Sequence, residues 1–182
     1  VLAVTAHLGN FELGGRILAD RYSVLDVIKP LHNGRFDRYL NRMRAGHGIA
    51  TVPMSEAGRA VLAHLRSGGL VTLLGDQDAG REGVLTDFLG LPASTWPGAA
   101  RLALRTGCPV VPVAILRSPD GDHVLHIGEP IDAIGLTTAE KDIAIFTSRI
   151  SVAVERFIWE QPEQWFWVHR RWKGAAEAKR IS

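Results

Sequence analysis

Val1-Leu2-Ala3-Val4-Thr5-Ala6-His7-Leu8-Gly9-Asn10-Phe11-Glu12 passes from an apolar run, through a turn, into a helix start. The run from Val1 to Ala6 is short and β-branched at three positions, which is the signature of a buried strand. Gly9 relaxes the backbone and Asn10 is suited to cap a helix beginning at Phe11. His7 therefore falls where a strand gives way to a loop, the place where open α/β sheets bind ligands.

Strand-like and helix-like segments alternate along the rest of the chain, as in a mostly parallel sheet covered by helices. Helices are expected over residues 11–20, 35–45 and 97–107, with Ser55 capping another and strands at 24–28, 49–53 and 70–74. Leu70-Val71-Thr72-Leu73-Leu74 is apolar throughout, as a strand buried on both faces should be. Residues 75–96 read as one long loop, and a loop of that length inside a compact domain usually carries function. A strand at 109–116 turns through Pro119-Asp120-Gly121-Asp122 into a partner at 123–127. Ile143, Phe146, Ile150, Val154 and Phe157, spaced by three and four, mark the core face of a last long helix over 138–160. The fold class is α/β, a central, largely parallel or mixed sheet flanked by helices.

The 182 residues, 46% of them hydrophobic, are enough for a single domain with a sizeable core. Val1 already lies in a core strand, so the chain is expected to lack its natural N-terminal portion. No apolar stretch reaches the roughly 20 residues that span a bilayer. The single cysteine, Cys108, precludes an internal disulfide and reads as a small packed thiol. A formal charge of +2 says little, but its distribution says more. Arg35, Arg38, Arg42 and Arg44 crowd one segment, and His169-Arg170-Arg171-Trp172-Lys173 with Lys179 and Arg180 weight the C-terminus. Such clusters suit an anionic membrane surface, a phosphorylated glycolipid, an acidic carrier protein or a plain solvated face. No nucleic-acid recognition motif accompanies them.

His7 and Glu12 supply a base and a carboxylate able to orient it. On one continuous helix they would stand roughly 140° apart. With His7 in the turn, Glu12 occupies the first helical turn and can fold back to one ring nitrogen, leaving the other to take a hydroxyl proton. Three further segments follow: Asp76-Gln77-Asp78-Ala79-Gly80-Arg81-Glu82-Gly83 leading to Phe88-Leu89-Gly90, then Trp96-Pro97-Gly98 through Cys108-Pro109-Val110-Val111-Pro112-Val113, and finally Pro162-Glu163-Gln164-Trp165-Phe166-Trp167-Val168-His169-Arg170-Arg171-Trp172-Lys173. In that order and spacing, residues 1–173 resemble the lipid A biosynthesis acyltransferases, the lauroyl and myristoyl transferases within the lysophospholipid acyltransferase superfamily.

The resemblance implies a glycerol-3-phosphate acyltransferase-like fold and a histidine general base in an H-x4-D/E motif, matched by His7 and Glu12. It implies acyl transfer from acyl carrier protein or acyl coenzyme A to a glycolipid or lysophospholipid, without metal or cofactor, at the cytoplasmic face of a bacterial inner membrane. Attachment there is peripheral or through a segment absent from this chain. It also implies a functional arginine near Arg42 and Arg44. These two lie roughly 160° apart on a helix, so one faces the site, and Arg44 at the helix end is the better placed. Asp76, Asp78 and Arg81 are expected to shape a substrate site. Phe88, Leu89, Leu91 and Trp96 either receive an acyl chain or cover the core. The same choice holds for Trp165, Phe166, Trp167 and Trp172, where alternation suggests a half-buried final strand. Two readings of other classes stand beside this one: a glycosyltransferase whose metal is held by Asp76 and Asp78, and a lipid-surface module that binds without turnover.

Overall fold

In the computed structural model, which describes residues 1–178, the chain forms a three-layer α/β/α unit. Lys179 and Arg180 of the C-terminal basic cluster lie outside the described residues. The central sheet has six strands in the order β3 (Ile49–Pro53), β2 (Val24–Ile28), β4 (Leu70–Leu74), β1 (Leu2–Thr5), β7 (Val110–Arg117) and β8 (His123–Ile127). All pairings are parallel except β7 with β8, which form the hairpin expected from the Asp120-Gly121 turn. β1 lies between β4 and β7, and Leu2, Ala3 and Val4 are at most 2% exposed.

Alternation along β1 divides the core. Leu2 and Val4 face α3 (Ala57–Arg66), α4 (Gly98–Thr106) and α5 (Glu140–Glu160), while Ala3 joins Leu18 of α1 (Phe11–Ala19) on the opposite face. The stripe Ile143, Phe146, Ile150, Val154 and Phe157 of α5 is buried as its spacing requires. α2 (Gly34–Gly46) packs beside β3 at the sheet edge and buries none of its residues.

Three expectations need correction. Residues 75–96 are not a structureless loop: a 3₁₀ turn at Gly80–Glu82 precedes an antiparallel hairpin of β5 (Val84–Phe88) and β6 (Leu91–Thr95). The hairpin closes through Leu89 and Gly90, both at positive φ (50° and 78°), a two-residue turn made here without the usual Asn or Asp. The Leu89 N–H donates to the Glu155 carboxylate, which helps hold the turn. Ser55 does not cap α3; it lies within a 3₁₀ turn at Met54–Glu56, and Glu56 precedes the helix without a side-chain cap. Trp165 makes a single bridge to Leu8 in place of a final strand, after which the chain turns into α6 (Lys173–Ala178).

Candidate active site

β1, β2, β3 and β4 run parallel, so the loops after them meet at one edge of the sheet, and the candidate site lies there. β1 and β4 are in register at Thr5 with Leu74, and two residues further along each chain His7 meets Asp76. His7 Nδ1 lies 2.8 Å from Asp76 Oδ1, and the His7 backbone N–H donates to Oδ2 at 2.9 Å. The indole N–H of Trp165 donates to the same Oδ2 at 2.8 Å. Burial opposes charge on Asp76, but the bonds and field of His7 and the Trp165 bond hold its pKa below the ordinary carboxylate value. An ionised Asp76 places the ring proton on Nδ1 and leaves the Nε2 lone pair outward, where Gln77 Nε2 stands 3.3 Å away. The imidazole side chain keeps 24% exposure against 3% for Asp76.

Local sequence fixes the ring from below. Asn10 Oδ1 accepts from the Leu13 N–H at 3.1 Å, capping α1. Gly9 has φ +57°, and a Cβ there would collide with the Ile115 carbonyl oxygen, so the turn requires glycine. Phe11 meets the imidazole edge-on at 5.2 Å, and Phe166 lies 6.2 Å away.

Glu12 does not orient His7, which corrects the expected pairing. Its carboxylate is gripped by Arg44, through Nε at 3.0 Å and through a second, shorter contact from an Nη atom. The turn carries His7 toward β4, whereas the first turn of α1 carries Glu12 toward α2. Arg44 also lies 4.0 Å from Asp26, which accepts from the Thr72 hydroxyl. Burial raises the Asp26 pKa, outweighing the Thr72 bond and the Arg44 charge. Burial opposes the Arg44 charge, but the bond to and field of Glu12, then Asp26 and Asp37, hold its pKa above the ordinary value. Glu12, Arg44, Asp26 and Thr72 line a small pocket of about 60 Å³ together with Thr5 and Phe11. Arg42 is exposed on the outer face of α2.

Asp76 and Asp78 do not converge as the alternation suggested, because β4 ends at Leu74. Asp78 accepts the backbone N–H of Gly80 at 3.2 Å and of Gly174 at 3.1 Å, which makes it a loop anchor. Arg81 is exposed on the 3₁₀ turn. Among the described residues no group of three or more His, Cys, Asp or Glu side chains is arranged to hold a metal ion.

On the other face of the sheet an apolar cavity of about 260 Å³ begins beside Gly75, next to Asp76, and runs between β1, α3, α4 and α5. Val4, Val61, Phe88, Trp96, Ala99 and Val154 are among its walls. Phe88 is 1% exposed and sits 5.7 Å from Trp165, so the ring that backs the cavity also backs the tryptophan that holds Asp76. Sequence reasoning missed the roles of Trp165 and Gln77. The available signal was register: an Asp-Gln-Asp directly after a central strand falls opposite His7 once β4 is known to neighbour β1.

The model of the bacterial lipid A biosynthesis acyltransferase family matches residues 1–174. The lipid A biosynthesis palmitoleoyltransferase of Escherichia coli K12 is 27% identical over 176 residues, 95% of this chain and 56% of the relative. The E. coli lauroyltransferase is 26% identical over 181 residues, covering 97% of this chain and 57% of that protein. A phosphatidylinositol mannoside acyltransferase of Mycobacterium tuberculosis (strain CDC 1551 / Oshkosh) is 25% identical over 174 residues, 91% of this chain and 52% of the relative. The chain thus spans about half the length of the curated relatives it matches. By the family match along nearly its whole length, this chain belongs to the bacterial lipid A biosynthesis acyltransferase family.

Proposed function

We propose that the chain carries the catalytic centre of an O-acyltransferase, moving a fatty acyl group from an acyl carrier protein or coenzyme A thioester to a hydroxyl of a glycolipid or lysophospholipid. The observation that carries this reading is His7, its Nδ1 bonded to a buried Asp76 and its Nε2 outside that bond, at the sheet edge where an apolar cavity begins beside Gly75. In the reaction, Nε2 takes the acceptor hydroxyl proton while the oxygen attacks the thioester carbonyl. The tetrahedral intermediate collapses by breaking the C–S bond, and the imidazolium returns its proton to the departing thiolate. Asp76 holds the ring and balances the imidazolium charge. The apolar cavity takes the acyl chain, and Arg44, held by Glu12, presents remaining guanidinium donors to the acceptor's phosphate or sugar oxygens. The relatives named for lipid A biosynthesis and for phosphatidylinositol mannoside acyl transfer support a glycolipid acceptor. The bacterial inner membrane, at its cytoplasmic face, is the proposed place of action.

The test is turnover of labelled acyl carrier protein and acyl coenzyme A against a panel of glycolipids, with and without chelator. His7→Ala is expected to lose about 10²–10⁴ in kcat. Asp76→Asn is expected to fall nearly as far and to change the shape of the pH profile. Glu12→Gln is expected to lose activity severely by releasing Arg44, with the profile shape kept. Wild-type activity retained by His7→Ala, or turnover that requires metal and a nucleotide sugar, overturns the reading.

A further inference from the structure

Helix α2 wears its amphipathic pattern inside out. At 100° per residue, Asp37, Asn41 and Arg44 fall on one side, and that side is turned to the protein. Asn41 Nδ2 donates to Asp37 at 3.1 Å, Arg44 reaches Asn41 Oδ1 at 3.4 Å, and Arg44 holds Glu12. On the opposite side Arg38, Arg42, Arg35, Tyr39 and Phe36 lie within an arc of about 160° that also holds the half-buried Met43, and those five are exposed. Phe36 is 50% and Tyr39 55% exposed, and their rings stack at 6.2 Å with only 19° between planes. An ordinary surface helix points its aromatic residues at the core. This one points them away, beside three arginines.

The three have no acidic partner among the described residues: the ion pairs present use His7, Arg44 and Arg101. Asp37, the one acidic residue between Lys29 and His47, is turned back to the Leu31 N–H at 2.9 Å and to Asn41. The patch continues along the edge of the sheet where the candidate site lies. Leu31, after β2, is 45% exposed, and Met54, after β3, is 47% exposed while also lining the apolar cavity. Basic charge, exposed apolar side chains and a cavity mouth therefore share the carboxyl edge of the sheet.

We infer that the outer face of α2, with Leu31 and Met54, seats on an anionic lipid bilayer, so that the candidate site faces the membrane surface. An acidic protein would answer the arginines alone. Phe36, Tyr39, Leu31 and Met54 call for a hydrocarbon boundary beside the negative charge, and a bilayer interface supplies both. The inference deepens the acyl-transfer reading by naming how a lipid acceptor is approached, and it rests on that reading only for its purpose.

Co-sedimentation of the 182-residue chain with phosphatidylcholine vesicles, with and without phosphatidylglycerol, tests it. Binding is expected to require phosphatidylglycerol and to weaken with salt. Arg35→Glu/Arg38→Glu is expected to weaken it about 25-fold, roughly fivefold for each arginine, and Phe36→Ser/Tyr39→Ser to weaken it at any salt concentration. Circular dichroism and melting temperature should match wild type, since all four side chains are exposed. Equal binding to neutral vesicles, or anionic-vesicle binding unchanged in the charge variant, overturns the inference. So does a charge variant that loses affinity for acyl carrier protein while keeping vesicle binding. The failure of the transfer reading looks different: vesicles bind as described, yet no thioester and acceptor are turned over. The Arg35→Glu/Arg38→Glu variant is expected to keep wild-type turnover of a detergent-dispersed acceptor and to lose it on vesicles.

Discussion

Asp76 is a carboxylate with three donors around two oxygens, and one of them, the Trp165 indole, has no other role in the site. A hydrogen bond to a charged group contributes about 1.5–3 kcal/mol, so Trp165→Phe keeps the ring packing and removes stabilisation of the ionised form. The Asp76 pKa then rises, and the acid limb of the rate profile, which belongs to the coupled His7–Asp76 pair, is expected to move up by about one pH unit. A kcat/KM profile checks this; a uniformly lowered profile with the limb in place would mean that Trp165 only packs. Asp26 carries the opposite sign. Its folded pKa is raised by burial, so its contribution to stability is present at low pH and is lost as pH rises through that raised value. Asp26→Asn should therefore gain on wild type with rising pH, more at roughly pH 8 than at about pH 4. Thermal melts at both values decide it, and a gain that is the same at both removes the titration from the account. His7 and Asp76 were both visible in the sequence as site residues. Their partnership was not, because 69 positions separate them and only strand order brings them together. Glu12 was given the wrong partner for the same reason: its neighbour Arg44 arrives from 32 positions away.

Helices and strands with strong periodicity were legible, and α5 is the clearest case, because a stripe at spacings of three and four has one way to bury itself. The β5–β6 hairpin was not, since its turn is Leu89-Gly90 and Pro92 sits inside β6, so both strand and turn signals are blurred. Tertiary contacts hold it instead: Phe88 is buried, Leu89 is tied to Glu155 on α5, and the hairpin closes one end of the apolar cavity. Phe88 packs in the core, and it and Trp96 line the cavity whose use for an acyl chain is the proposal made above. Ala99, near the start of α4, faces that space. Ala99→Phe fills part of it and shortens the room for a chain. The variant should discriminate against the longest acyl donors by about tenfold or more relative to wild type, as one excluded methylene is worth about 1–3 kcal/mol. Measuring kcat/KM over a series of acyl lengths tests the cavity's use; a parallel loss at every length would place the chain elsewhere.

The segment after α5 crosses the carboxyl edge of the sheet and joins parts that the sheet alone leaves separate. Gln164 accepts from Gly9, Phe166 donates to the His7 carbonyl, Trp165 bonds Asp76, and Gly174 bonds Asp78. Arg171 completes the tie. It is 0% exposed, donates to the Ser94 carbonyl and the Thr95 hydroxyl, and lies 4.5 Å over the Phe88 ring. Burial lowers its pKa against the opposing fields of Asp76, Asp78 and Glu155, so those carboxylates help keep the cation charged. Sequence reading took the arginines of this segment for a basic surface cluster, and a fully buried cation has no local signature that would have said otherwise. The loops that carry His7, Asp76 and the cavity wall are thus held by one strap, and their order should fail together. Arg171→Met removes the charge and both donors while keeping an unbranched apolar stem, leaving the Ser94 carbonyl with only the Ala79 N–H and the buried Thr95 hydroxyl with only Thr86. A destabilisation of about 2–4 kcal/mol is expected from those losses. Amide hydrogen exchange should show protection falling first in residues 84–95 and around Asp76, with the parallel strands β1 and β4 still protected. If the hairpin amides stay as protected as in wild type while the melting temperature drops, Arg171 supports the fold as a whole, and the site at the sheet edge is held by the hairpin's own packing.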